Sequence, residues 1–201
     1  MNVYEMDGMS LRFIRRPVED DFRREYAPLF LAAYNEIYRL ICTRFYQGVE
    51  RETVSLDNEA LADVRSLAKP MIRLLKVYTG GDRAVSNVDR YDSDRVRIPG
   101  YAGQEVVFLY QYMPPMLQNP HPAFLIEPEN EDDTNVPVIP EAYHLALPLY
   151  AAHTWMHAQE KFSEANFYYQ RAMAVAGELS AVSGYGGVDA GKTPLTVDWL
   201  M

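Results

Sequence analysis

The chain carries a single cysteine, Cys42, which excludes an intramolecular disulfide and a cysteine-based zinc site. A lone thiol suits a reducing cytoplasm, or a particle assembled there, and Cys42 reads as a small core residue. No run approaches the roughly 20 consecutive apolar residues that a membrane-spanning helix needs, so no membrane association is expected. The N-terminus, MNVYEMDGMS, lacks a basic region followed by an apolar one, so secretion is not expected either. Positive charge is also scarce: 19 Lys and Arg stand against 28 Asp and Glu, a net charge of −9. A protein that wraps nucleic acid by neutralising phosphates needs the reverse. The local concentration of Arg12, Arg15, Arg16, Arg23 and Arg24 is interleaved with Glu19, Asp20, Asp21 and Glu25, and reads as a solvated amphipathic face. GxSxG, an active-site cysteine context and paired carboxylates in an apolar setting are all missing. Neither catalysis nor a cofactor is therefore expected.

What is present is enough for a real core: 48% of 201 residues are hydrophobic. The pattern predicts a mainly α protein with a small antiparallel β insertion, an α+β chain built as one domain over residues 1–182 with a tail at 183–201. N-terminal helices are expected at about 18–67. The first, residues 18–47, has Leu29, Ala33, Ile37, Leu40, Ile41 and Phe45 on one face, Pro28 bending or dividing it, and Gly48 as its stop. Residues 49–56 (VERETVSL) are β-branched enough for a strand, and 58–67 read as a short helix capped by Asp57 or Asn58. A β-rich insertion follows at about 71–113, with strands at 71–79, 95–99 and 105–112 separated by Gly- and Asp-rich turns. The Pro-rich and acidic stretch 114–139 is an extended connection that cannot be helical.

Residues 140–181 hold the most informative signal, two apolar stripes at helical spacing. Leu145, Leu149, Ala152 and Met156 form the first; Phe162, Ala165, Tyr169, Ala172, Ala176 and Leu179 form the second. Pro140 suits a first helical position, and Glu141 favours the positive end of the helix dipole. The polar run Gln159, Glu160, Lys161, with Ser163 as N-cap, favours a helical hairpin over one long helix. Alanines dominate the stripes, so the backbones approach closely. Tyr143, Tyr150, Trp155, Phe167 and Tyr168 supply aromatic surface expected to be buried elsewhere, much of it against other subunits.

Three motifs invite chemical readings, and each fails on context. Residues 186–193 (GGVDAGKT) satisfy the phosphate-loop pattern GxxxxGK[ST], but that chemistry needs a strand before the loop and a helix after it. Here a helix precedes, Pro194 follows directly and only eight residues remain after Thr193. A linker is the better reading. His153 and His157 share a helical face with Glu160 one turn on, yet Thr154, Trp155 and Met156 stand between them, so HExxH is absent. His144 falls about half a turn out of phase, and His121 lies in the proline-rich stretch. The acidic residues 127–133 lack the alternating ligands and central glycine of an EF-hand loop.

The run Ile139, Pro140, Glu141, Tyr143, His144, Ala146, Leu147, then Leu149, Tyr150, Ala151, Ala152, then Ala165, Tyr168, Tyr169, resembles the end of head-to-tail adaptor (connector) proteins of tailed bacteriophages. The match covers about 40 residues directly. It extends more loosely to the early helix with Ala33, Tyr34, Asn35 and Glu36, to VERETVSL, and to EVVFLYQY. The resemblance implies a helical-bundle core with a C-terminal helical hairpin and an extended tail. It also implies a structural virion protein that forms a ring, commonly twelvefold, beneath the portal at the neck, assembled in the host cytoplasm. Its partners would be the portal protein, tail or neck proteins and its own copies, with double-stranded DNA passing through the lumen. By analogy, Leu195, Val197, Trp199, Leu200 and Met201 of the tail are the expected portal-binding residues. Two features depart from the pattern. Pro148 should cost a bond to the His144 carbonyl and kink its helix, and the tail is long and glycine-rich. Residues 162–179 are also similar to the second helix of a tetratricopeptide unit, a peptide-binding module, but no second copy appears at the 34-residue period that such units need.

Overall fold

The computed structural model describes residues 1–46, 48–118, 135–182 and 197–198, and it is a mixed α+β protein. Its described residues divide into two compact units: 1–46 with 115–118 and 135–182, and 48–114 with 197–198.

The first unit is helical. Helix α1 (Val3–Phe13) starts at a capping box, with Asn2 Oδ1 accepting from the Glu5 N–H at 2.9 Å and Glu5 Oε2 accepting from the Asn2 N–H at 2.9 Å. The long α2 (Asp20–Leu40) runs unbroken through Pro28 and ends in a π-helical turn, Ile41–Phe45. Its buried residues Ala27, Phe30, Ala33, Tyr34, Ile37 and Tyr38 recur at helical spacing, and Cys42 is buried just beyond them. Burial pushes the Cys42 thiol up to about 12, which leaves it protonated and inert.

A short α3 (Glu141–His144) and α4 (Ala146–Ala158) follow, then α5 (Phe162–Val182). Pro140 caps α3 from outside rather than opening it. The expected kink at Pro148 is realised as a break at Leu145. Pro148 then lies in the first turn of α4, where an N–H has no helical partner to lose. Helix α4 is apolar nearly all round and packs against α1, α2 and α5. Trp155 meets Tyr26 of α2 edge-on at 6.3 Å, while His153 Nδ1 lies 3.0 Å from the Ala165 carbonyl of α5. Residues 153 and 155 are about 200° apart on a helix, so these two contacts leave α4 on opposite sides, while Tyr150 reaches both Glu36 of α2 and Tyr169 of α5.

The chain turns between α4 and α5 without a glycine. Glu160 adopts φ 59°, its N–H donates to the His157 carbonyl at 3.0 Å, and the Lys161 N–H donates to the Met156 carbonyl at 2.9 Å. These are the two bonds of a Schellman motif. Ser163 is not the cap: α5 already begins at Phe162, and the Lys161 carbonyl accepts its first bond from Ala165 at 2.9 Å. A left-handed conformation costs a side-chain-bearing residue about 1 kcal/mol. Glu160→Gly is therefore expected to raise stability by about 0.5–1 kcal/mol in urea unfolding, and a loss of stability would contradict this account.

The second unit is a β structure. Strands β1 (Val49–Ser55), β3 (Met71–Thr79), β6 (Glu105–Tyr112) and β7 (Val197–Asp198) form an antiparallel sheet in the order β1-β6-β3-β7. Strands β2 (Leu61–Asp63), β4 (Asp89–Arg90) and β5 (Arg95–Arg97) form a second one in the order β2-β5-β4. The helix expected at 58–67 is absent: β2 and one 3-10 turn, Val64–Ser66, stand there. The inner faces bury Val54, Leu74, Val77, Val96, Ile98, Val106, Phe108 and Tyr110 together. Register shifts within β3 interrupt the alternation, which is why consecutive Leu74 and Leu75 are both buried.

Candidate assembly surfaces

Among the tail residues expected to bind a portal, Val197 lies in β7, where its backbone pairs with Leu74 of β3. Leu195, Trp199, Leu200 and Met201 lie outside the described residues, as do the phosphate-loop pattern, His121 and the acidic run at 127–133.

The histidines are held by protein rather than arranged around an ion. His153 and His157 are 6.0 Å apart between ring centroids, but His153 is bonded to Ala165 and His157 packs edge-on against Phe162 at 5.3 Å. His144 sits on α3, with Nε2 at 2.9 Å from the Ile139 carbonyl, and burial lowers its pKa. No group of three or more His, Cys, Asp or Glu among the described residues could hold a metal ion. No helix among them is long and apolar enough to cross a membrane.

Two polar features of the first unit were not anticipated. Between α1 and α2, Tyr34 donates its hydroxyl proton to Asp7 Oδ1 at 3.0 Å, so the Ser10 hydroxyl, 2.7 Å away, is the donor to Tyr34. Burial pushes the Asp7 carboxyl up from 3.8 to about 7, against the lowering effects of the Tyr34 bond and the Arg23 guanidinium. Arg23 itself is 6% exposed, stacked over the Tyr4 ring at 3.8 Å and bonded to the Tyr4 carbonyl at 2.6 Å. It faces a cleft of about 640 Å³ lined also by Tyr4, Glu5, Arg12 and Glu141. Arg12, Arg23 and the Met1 amino group face Glu5 and Glu141 there, and the amino group is already paired with Glu5 at 3.9 Å. Secondly, Asn35 on α2 clamps the backbone of Leu117 from both sides. Its Nδ2 donates to the Leu117 carbonyl at 2.9 Å, and its Oδ1 accepts from the Leu117 N–H at 2.7 Å. The chain is thereby fixed where it rejoins the first unit.

The surface that stands out is the exposed aromatic surface of α5. Among its described side chains Ala165, Ala172 and Ala176 are buried, whereas Phe162 is 60% exposed, Phe167 54% and Tyr169 40%. Phe162 and Tyr169 belong to the stripe expected to be buried, yet among its described side chains only the alanines reach the core. The small side chains let α5 lie close to α4, and closeness pushes the larger flanking residues outward. Trp155 and Tyr143, by contrast, are buried within the unit itself. Tyr168 is half-buried and donates its hydroxyl proton to the Phe13 carbonyl at 2.8 Å. A second surface lies at the C-terminal end of α2, where Tyr150 donates to Glu36 Oε1 at 2.8 Å, and burial raises the Tyr150 hydroxyl pKa. Compared with known proteins, the chain matches no family model and no curated sequence.

Proposed function

We propose that the chain is a structural virion protein that forms a ring beneath the portal of a tailed bacteriophage, joining head to tail and letting double-stranded DNA pass through the lumen. The observation that carries this reading is the exposed aromatic surface of α5: Phe167 stands on the side opposite the buried alanines, and Phe162 and Tyr169 remain exposed at the edge of the alanine stripe. Exposed aromatic surface of this kind marks a protein contact. The resemblance to adaptor proteins rests on residues 139–169, which make up the packing centre of the first unit. In this reading residues 140–181 act as the C-terminal helical hairpin of a bundle, and the tail at 183–201 reaches the portal or a neck protein. The protein performs no catalysis and takes no cofactor. It resides at the neck of the virion, after assembly in the host cytoplasm. The abundance of carboxylates fits a lumen that repels phosphate and so does not trap DNA in transit.

The test is the mass and shape of the full chain, alone and mixed with candidate portal protein, by light scattering and negative-stain microscopy. Rings, commonly twelvefold, are expected alone or on the portal. A monomer that ignores portals would instead favour a helical peptide-binding module.

A further inference from the structure

The geometry points to a head-to-tail contact between copies of this chain, in which Phe167 on α5 of one copy fills a groove at the C-terminal end of α2 in the next. The inference rests on the ring reading above and names the two surfaces that would close such a ring.

The groove has Ile37, Leu40 and Tyr150 as its apolar wall, with Glu36, Arg39 and Arg44 at its rim, and a volume of about 290 Å³. An apolar cavity of about 150 Å³ already holds benzene, so there is room for one phenyl ring. Phe167, with the Arg171 guanidinium 5.5 Å from its ring centroid and Tyr168 edge-on at 5.4 Å, is the complementary knob. It projects from the side of α5 opposite Ala165 and Ala172, and its neighbours on that face, Ser163, Asn166, Gln170 and Ala174, are exposed and uncharged. A second helix that covers this face has to pair only Glu164 and Arg171 at its edges.

The flanking charges fix the direction of approach. Glu164 and Arg171 bracket Phe167, about 10 Å apart along the helix; Glu36 and Arg44 bracket Leu40, about 12 Å apart. Both pairs run negative to positive along the chain. An antiparallel approach sets Glu164 against Arg44, Arg171 against Glu36 and Phe167 against Leu40, whereas a parallel one sets like against like. A copy does not fill its own groove. Tyr150 touches Tyr169 of α5, with ring centroids 6.3 Å apart, and positions 167 and 169 are about 200° apart on a helix. Knob and groove therefore lie on different faces, and a contact in which each copy's knob enters the next copy's groove is heterologous, generating a ring where the rotation closes.

The experiment uses the full-length chain in analytical ultracentrifugation. Wild type is expected to assemble beyond dimers, with Phe167→Ala, Glu164→Arg and Arg44→Glu each weakening assembly about tenfold or more. Glu164→Arg combined with Arg44→Glu should recover most of the loss, which a general destabilisation would not do. Thr43 also lines the groove, and Thr43→Trp fills it. Mixed with Phe167→Ala it should give dimers and nothing larger, because one working knob and one working groove remain. Thermal melts of the variants should match wild type. If wild type assembles and the single variants assemble equally well, the inference is overturned while the ring reading stands. A wild type that stays monomeric at every concentration, with and without portal, overturns both.

Discussion

Replacing Asp7 with asparagine is expected to stabilise the protein above neutral pH by as much as about 4 kcal/mol and to leave it little changed near pH 4. Asp7 is 1% exposed, and burial holds its carboxyl at about 7 rather than 3.8. Between those two values the folded chain retains a proton that the unfolded chain has released. Stability from this group is thus full below about pH 4, falls as pH rises to about 7 and is level beyond. Each pKa unit corresponds to about 1.4 kcal/mol, which sets the upper bound quoted. Asparagine retains an oxygen to accept the Tyr34 hydroxyl proton and carries no charge to bury, so the penalty disappears at high pH. Urea unfolding of wild type and Asp7→Asn at pH 5, 6, 7 and 8 measures it directly. Parallel stability curves across that range would show that Asp7 is ionised in the folded chain throughout.

The second large effect belongs to the sheet. Phe108→Ala is expected to cost the second unit about 3–5 kcal/mol, the range for emptying a buried aromatic site. Phe108 lies on central strand β6, opposite Glu52 of β1 and Val77 of β3, and is fully buried among Leu74, Val96, Ile98 and Val106. Strands on both sides of β6 limit the collapse that would refill the cavity. Hydrogen exchange should show lost protection in β1, β3 and β6 together; a cost below about 1 kcal/mol would mean that the site closes over. Because the chain has two compact units, exchange resolves this better than a single melting temperature.

The strands were the most legible part of the sequence. β3 and β6 follow from β-branched and aromatic runs bounded by glycine, and their ends match the reading at 71–79 and 105–112. Residues 58–67 misled because an Asx turn and a helix N-cap use the same chemistry. Asp57 Oδ1 does accept two backbone bonds, from Glu59 and Leu61, both at 2.8 Å, but Ala60 then takes φ 61° and the chain pairs with β5 instead. Helix α1 went unread although Asn2 and Glu5 carry the capping-box signature. Its buried face mixes Val3, Met6 and Leu11 with Asp7, Gly8 and Ser10, which hides the period. Gly8 has a tertiary reason to be there, since a Cβ would lie 2.9 Å from Nη2 of Arg23. The groove at α2 was invisible for a related cause: Tyr150 and Glu36 are 114 positions apart, and no local pattern announces their meeting.

That separation between α2 and its packing partner has a consequence for synthesis. Helix α2 ends at Leu40 and α4 begins at Ala146, so the ribosome must add about 100 residues before the helix that covers α1 and α2 exists. At 5–20 residues per second the wait is about 5–20 s. Most of the sheet-forming segment emerges in that interval and is free to fold first, while Phe30, Ile37 and Ile41 remain uncovered. A nascent chain stalled before α4 is therefore the form of this protein most in need of a chaperone.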